Sequence, residues 1–223
     1  MEDFKLQWDQ DGKRLYETGV DRGVIYPMVE GAYPAGAAWD GLIKVSEAPT
    51  GAEPTALWAN NQKYAELMSA EQFAGTIEAY TYPDEFAACN GLREAVKGVR
   101  LSQQTRTPFG FTYRNIIGND VKKNAYGYRV HVVYGAMCKP ASKERNTVNE
   151  SPEAATMSFE FTTTPVKVAG FEPTAHIEID STSVDAEKLT AIEKVLYGTG
   201  ETDARLPLPD ELLQLLGYTQ AAG

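Results

Sequence analysis

Across residues 107–138 the chain alternates apolar and polar side chains twice, in TPFGFTYRNIIGND and again in YGYRVHVVYGAMC. In the first run Phe109, Phe111, Tyr113, Asn115 and Ile117 share one parity, and Gly110, Thr112, Arg114 and Ile116 the other. In the second, Tyr126, Tyr128, Val130, Val132 and Tyr134 alternate with Gly127, Arg129, His131 and Val133. Successive side chains of a pleated strand point to opposite sides, so a period of two reads as a strand. Gly118-Asn119-Asp120, followed by Lys122, Lys123 and Asn124, supplies turn chemistry between the runs. The spacing predicts a long antiparallel hairpin with one packed face and one face carrying Arg114, Arg129 and His131.

Two shorter runs continue the pattern, TIEAYTY at 76–82 and SFEFTTT at 158–164, with Glu78 and Glu160 in mid-strand. Opposite charges on facing strands contribute up to about 1 kcal/mol. Glu78 and Glu160 are therefore expected to share the polar face with Arg114 and Arg129. A sheet with one packed and one charged face is either a solvated surface or the wall of an enclosure, and the pattern alone leaves both open.

Elsewhere the texture changes. Asp11-Gly12, between short alternating runs, signals a tight hairpin. The Asp-x-Asp-Gly string there lacks the later ligands of a calcium loop. Residues 27–62 hold Pro27, Gly31, Pro34, Gly36, Gly41, Pro49, Gly51 and Pro54, which break any long element. The expectation is a long loop with a short strand near 39–45. Its aromatic and apolar residues Tyr33, Trp39, Leu57 and Trp58 suit an arm that docks on a partner subunit or folds back on its own domain. Ser69 and Gln72 have the spacing of a helix-start capping box. Pro83 with Asp84 and Glu85, stopped by Asn90-Gly91, predicts a short helix. Residues 99–106 are a further candidate strand, and the polar stretch 139–157 reads as a loop.

Past residue 165 a short strand at 174–180 precedes an amphipathic helix over 183–197, capped by Ser183 or Asp185, and a last short helix over 210–216. The expected organisation is a β-sandwich or barrel domain over 1–165 and an appended α/β extension over 166–223. The extension is too short to supply a core of its own.

The 223 residues carry a formal charge of −10. That balance argues against a protein that grips nucleic acid, which presents a basic stripe, but not against one past which nucleic acid must slide. No run approaches the roughly 20 apolar residues of a membrane helix, and MEDFKLQWD has no signal-peptide core. Cys89 and Cys138 are expected as reduced thiols. His131 and His176 lack ligand spacing in sequence, so neither a metal nor a cofactor is expected. There is no nucleophile elbow, dinucleotide fingerprint, H-E-x-x-H or phosphate loop. The remaining catalytic option is a glycosidase-like carboxylate pair, Glu78 and Glu160. Pairing with arginine would lower their pKa values, the wrong direction for a general acid. The expectation is a protein that is not an enzyme.

Several longer strings resemble the major tail proteins of long-tailed bacteriophages that infect Gram-positive bacteria. They are GVDRGVIYP at 19–27, YPAGAAWDGL at 33–42, SEAPTGAEPTALWANNQKY at 46–64, TIEAYTYPDEF at 76–86, QTRTPFGFTYRNIIGND at 103–120, YGYRVHVVYGA at 126–136 and NESPEAATMSFEFTTTPV at 149–166. HIEIDST at 176–182, LYGTG at 196–200 and LPLPDELLQLLG at 206–217 are similar to the C-terminus of the same group. The resemblance implies a structural virion protein of β-sandwich or barrel type, assembled in the host cytoplasm. Its copies form hexameric rings that stack around a tape-measure protein into a tail tube. The implied further partners are the tail terminator, the distal tail and baseplate proteins, and DNA passing through the lumen without specific binding. Glu78, Arg114, Arg129 and Glu160 are then candidates to face the lumen, and Tyr33, Trp39, Leu57 and Trp58 to form the inter-subunit arm. The alternative is a carbohydrate-binding β-sandwich on a virion surface, presenting Tyr33, Trp39 and Trp58.

Overall fold

The computed structural model describes residues 5–141, 143–145, 147 and 154–219. In chain order its strands are β1 (Leu15–Pro27), β2 (Ala37–Ala38), β3 (Leu42–Glu47), β4 (Pro54–Ala59), β5 (Gln62–Met68), β6 (Ala74–Ala79), β7 (Arg93–Val96), β8 (Val99–Leu101), β9 (Phe109–Asn119), β10 (Lys123–Cys138), β11 (Met157–Thr163), β12 (Val166–Val168), β13 (Phe171–Thr174) and β14 (His176–Asp180). The helices are α1 (Phe86–Cys89), α2 (Ala186–Tyr197) and α3 (Pro209–Leu215). The fold is mainly β and antiparallel, as the alternation required.

The hairpin β9–β10 forms as expected and is the centre of an eight-stranded sheet ordered β2-β1-β9-β10-β11-β6-β3. On its far edge β10 has two partners. Residues 129–133 pair with β14 and residues 136–138 with β11. The register shifts between Val133 and Ala136, and Gly135 sits there with φ of 59°. A Cβ on Gly135 would stand 2.3 Å from the Thr164 carbonyl oxygen, so only glycine fits this corner. The bend divides the sheet into a first leaf, β2-β1-β9-β10-β14, and a second, β11-β6-β3.

The leaves close on an aromatic core. The Trp39 ring lies 4.6 Å from Phe86, 5.7 Å from Phe111 of the first leaf and 5.9 Å from Phe159 of the second. Phe86, Phe109, Phe111, Phe159 and Phe161 are all buried. Each such side chain contributes about 2–3 kcal/mol, against roughly 0–1 kcal/mol for an exposed ion pair. The core therefore holds the sandwich, and the many surface ion pairs adjust it.

The other face of the first leaf is also covered. Val24, Tyr26, Val130, Val132, Tyr134 and Ile179 pack against Leu189, Ile192 and Leu196 of α2 and Leu212 of α3. Asp185 caps α2, accepting from the backbone N–H groups of Glu187 and Lys188. Tyr26 donates its hydroxyl to the Leu196 carbonyl at 2.6 Å, and Tyr134 to Pro207 at 3.0 Å, stitching the helical layer to the sheet. The segment after residue 165 is thus woven into the fold, because β14 is a strand of the first leaf.

This three-layer arrangement corrects the expected hairpin faces. Tyr113 stands opposite His131, and Arg114 opposite Val130. The apolar parities of β9 and β10 therefore point to opposite sides, each into its own core, and Arg114 and Arg129 lie on opposite faces. The short strand expected near 39–45 is β3, and the remainder of the long loop expected over 27–62 is corrected, since it contains β2 and β4. The capping-box spacing at Ser69 and Gln72 starts no helix, and β5 pairs with β4 in a separate hairpin. No strand precedes Leu15 among the described residues, so Asp11-Gly12 is a turn rather than a hairpin. It is held by Gly12 N–H donating to the Asp120 carboxylate. Part of the loop expected over 139–157 lies outside the described residues.

Candidate functional site

β14 lies antiparallel to β10 with His131 opposite Glu178 and Val133 opposite His176. This register puts His131, His176 and Glu178 on the inner face of the first leaf, with Ile177 and Ile179 turned toward the helices. Glu47, at the end of β3, reaches the same place from the second leaf. One ligand-type atom from each of Glu47, His131, His176 and Glu178 lies within 4.8 Å of every other. His131 Nδ1 is 3.1 Å from His176 Nε2, 3.4 Å from Glu47 Oε1 and 4.0 Å from Glu178 Oε1.

The rings are held by stacking. Tyr113 lies parallel to His131 with centroids 4.6 Å apart, and Phe73 covers His176 at 4.3 Å. Asn115 fixes the tautomer of His131. Its Nδ2 donates to the Glu17 carboxylate at 2.7 Å, so its Oδ1 must accept from His131 Nε2–H at 2.9 Å. In the neutral ring, Nδ1 of His131 is then a lone pair aimed into the cluster. The Tyr113 hydroxyl donates to Glu47 Oε1. Arg129 Nη1 lies 3.5 Å from Glu178 Oε2 and 2.6 Å from Glu17 Oε1. Burial is the main influence on both imidazoles and pushes them below the usual histidine value, against the opposing pull of Glu47 and Glu178. Burial, reinforced by Glu47, pushes the Tyr113 phenol far up, so it stays a donor.

The residues singled out in the sequence are distributed differently from the expectation. Glu78 and Glu160 do share a face, the outward side of the second leaf, but their partners are lysines. Lys44 lies 3.6 Å from Glu78, and Lys139 lies 3.4 Å from Glu160. Arg114 binds Asp21 on the helix-facing side of the first leaf. Arg129 belongs to the network behind the histidines. Tyr33 and Trp39 are 2% and 4% exposed, so they anchor this chain's own cores, and a sugar-binding platform loses two of its three aromatics. Leu57 and Trp58 are exposed on β4, with Tyr64, Leu67 and Met68 on β5. Among the described residues no helix is long and apolar enough to cross a membrane.

Sequence reasoning overlooked Glu47, His176 and Glu178 as companions of His131. HIEID does put His176, Glu178 and Asp180 on one parity, but their union with His131 depends on which strand β14 joins. No family model matches the chain, and no curated protein matches its sequence.

Proposed function

We propose that this chain is a structural protein that assembles with copies of itself into hexameric rings, which stack into the tail tube of a long-tailed bacteriophage. The observation that carries this reading is the β4–β5 hairpin, which forms a two-stranded sheet of its own. Thr55 and Leu57 stand opposite Leu67 and Ala65 on one of its faces, and Pro54 opposite Met68 on the other. Trp58 is 70% exposed and Tyr64 77%. A ribbon with apolar side chains on both faces is unstable against association, and a second copy of the chain is an occupant that closed rings would supply.

The net charge of −10 supports a conduit to which DNA does not adhere. The helices cover the outer side of the first leaf, so the lumen wall is assigned to the outer side of the second. There Thr76, Glu78, Ser158 and Glu160 form a polar surface. The tape-measure protein would occupy this channel before DNA does. Arg114 and Arg129 lie elsewhere in the fold and take no part in that wall.

Negative-stain microscopy of the concentrated chain tests the proposal, beside a variant carrying Leu57→Ser, Trp58→Ser and Leu67→Ser. Rings or hollow tubes are expected from the parent chain. Folded monomers with unchanged circular dichroism are expected from the variant. A parent chain that stays monomeric at every concentration, or a variant that assembles equally well, overturns it.

A further inference from the structure

We propose that Glu47, His131, His176 and Glu178 form a binding site for a divalent transition metal of the zinc class. Four donors converge on a point between the two leaves, their atoms mutually within 4.8 Å. A tetrahedral zinc ion with bonds of about 2.0–2.2 Å separates its ligand atoms by roughly 3.3 Å. The observed 3.1 Å between the imidazole nitrogens and 3.4 Å from His131 to Glu47 bracket that separation. Two neutral imidazoles and two carboxylates balance a 2+ charge. The mixed nitrogen and oxygen set favours zinc-like ions over calcium or magnesium, which require oxygen throughout.

The partners behind the donors strengthen the assignment, because such contacts orient ligands in metal sites. Asn115 holds His131 as the tautomer with Nδ1 free, the Tyr113 hydroxyl orients Glu47, and Arg129 steadies Glu178. Without a metal, the lone pair of His131 Nδ1 must accept from His176 Nε2–H. On binding, the proton of His176 Nε2 is replaced by the ion and the ring carries its hydrogen on Nδ1. The two glutamates are partly exposed, leaving an entry path from solvent for the ion. The ion would join β3, β10 and β14, so it would clamp the C-terminal segment to both leaves. All four donors belong to one chain, so the site is complete whether or not copies of the chain assemble.

The test is titration of the chelator-treated full chain with Zn2+ by calorimetry, with thermal unfolding followed in parallel. One equivalent of Zn2+ is expected to bind and to raise the unfolding temperature, while Ca2+ does neither. His176→Gln and Glu178→Gln are each expected to weaken binding at least about tenfold, and Asn115→Ala, which removes the positioning contact to His131 together with the hydrogen bond to Glu17, by roughly tenfold. Co2+ should give the visible absorption of a tetrahedral site. Absence of Zn2+ binding by the parent chain overturns the proposal without reference to any variant. So does binding unchanged in His176→Gln and Glu178→Gln, or binding matched by Ca2+.

Discussion

Arg114 grips Asp21 through two parallel hydrogen bonds, Nε to Oδ1 at 2.7 Å and Nη2 to Oδ2 at 2.6 Å, with its guanidinium 4.7 Å from the centre of the Tyr128 ring. The pair joins β1 to β9 just where their register shifts around Asp21. Arg114 is mostly buried while Asp21 is partly exposed, so the pair is worth more than a free surface contact and less than a buried one. Asp21→Asn is expected to destabilise the chain by about 1 kcal/mol, read by chemical denaturation. The hydrogen bonds from Arg114 hold the Asp21 carboxyl below its usual range. A depressed acid stabilises above its unfolded value of about 3.9 and loses that contribution as pH falls through the folded value. The gap between parent and Asp21→Asn should therefore be full at pH 6 and shrink only below about pH 4. A gap that grows on acidification would contradict the pairing.

Tyr33 and Trp58 should behave oppositely. The Tyr33 hydroxyl accepts from Gly135 N–H at 2.9 Å, inside the fold. Tyr33→Phe leaves that donor without its partner and should cost about 1–2 kcal/mol in denaturant. Trp58→Ala should change stability by less than about 0.5 kcal/mol while weakening association of copies, measured by sedimentation velocity.

Gly135 allows no side chain. A left-handed backbone and the Thr164 carbonyl at 2.3 Å both oppose a methyl group, so Gly135→Ala should destabilise by about 3 kcal/mol. Gly31→Ala, at φ of 83° but with open space around it, isolates the backbone share of that effect and should cost only about 1 kcal/mol.

Burial pushes the Cys89 and Cys138 thiols up to about 12. The thiolate is the reactive form, so neither should react with a disulfide reagent at pH 8 in the native chain, and both should react in denaturant. Rapid native reaction would show that the core between α1 and β10 opens readily.

Charge reversal on the outer side of the second leaf tests the lumen assignment. Glu78→Lys with Glu160→Lys should leave assembled tubes intact and alter DNA ejection from virions. Normal ejection would place these residues away from the channel.

The central hairpin was legible because a period of two survives any packing. Its faces were not, because β9 and β10 each have one apolar parity and the sequence does not say that both sides of the leaf are covered. α2 was legible from its 3.6-residue period and Asp185. For Tyr33 and Trp39 the sequence leaves a docking arm and a fold-back open, because the surrounding glycine and proline mask the two-residue β2, and their burial decides for the fold-back. At Ser69 the capping-box spacing precedes no helix, because β6 begins at Ala74, within two residues of Gln72. The histidine cluster was hidden for a topological reason. His131 and His176 are 45 residues apart, and only the choice of β14 as the neighbour of β10 brings them together.

The position of β14 has a consequence for synthesis on the ribosome. The first leaf gains its last strand, and its outer apolar side gains a cover, only when residues 176–215 have emerged. Until then Val130, Val132 and Tyr134 present a greasy stripe with nothing to lie against it. Folding of the first leaf must therefore wait for residues 176–215, however early its other strands have paired.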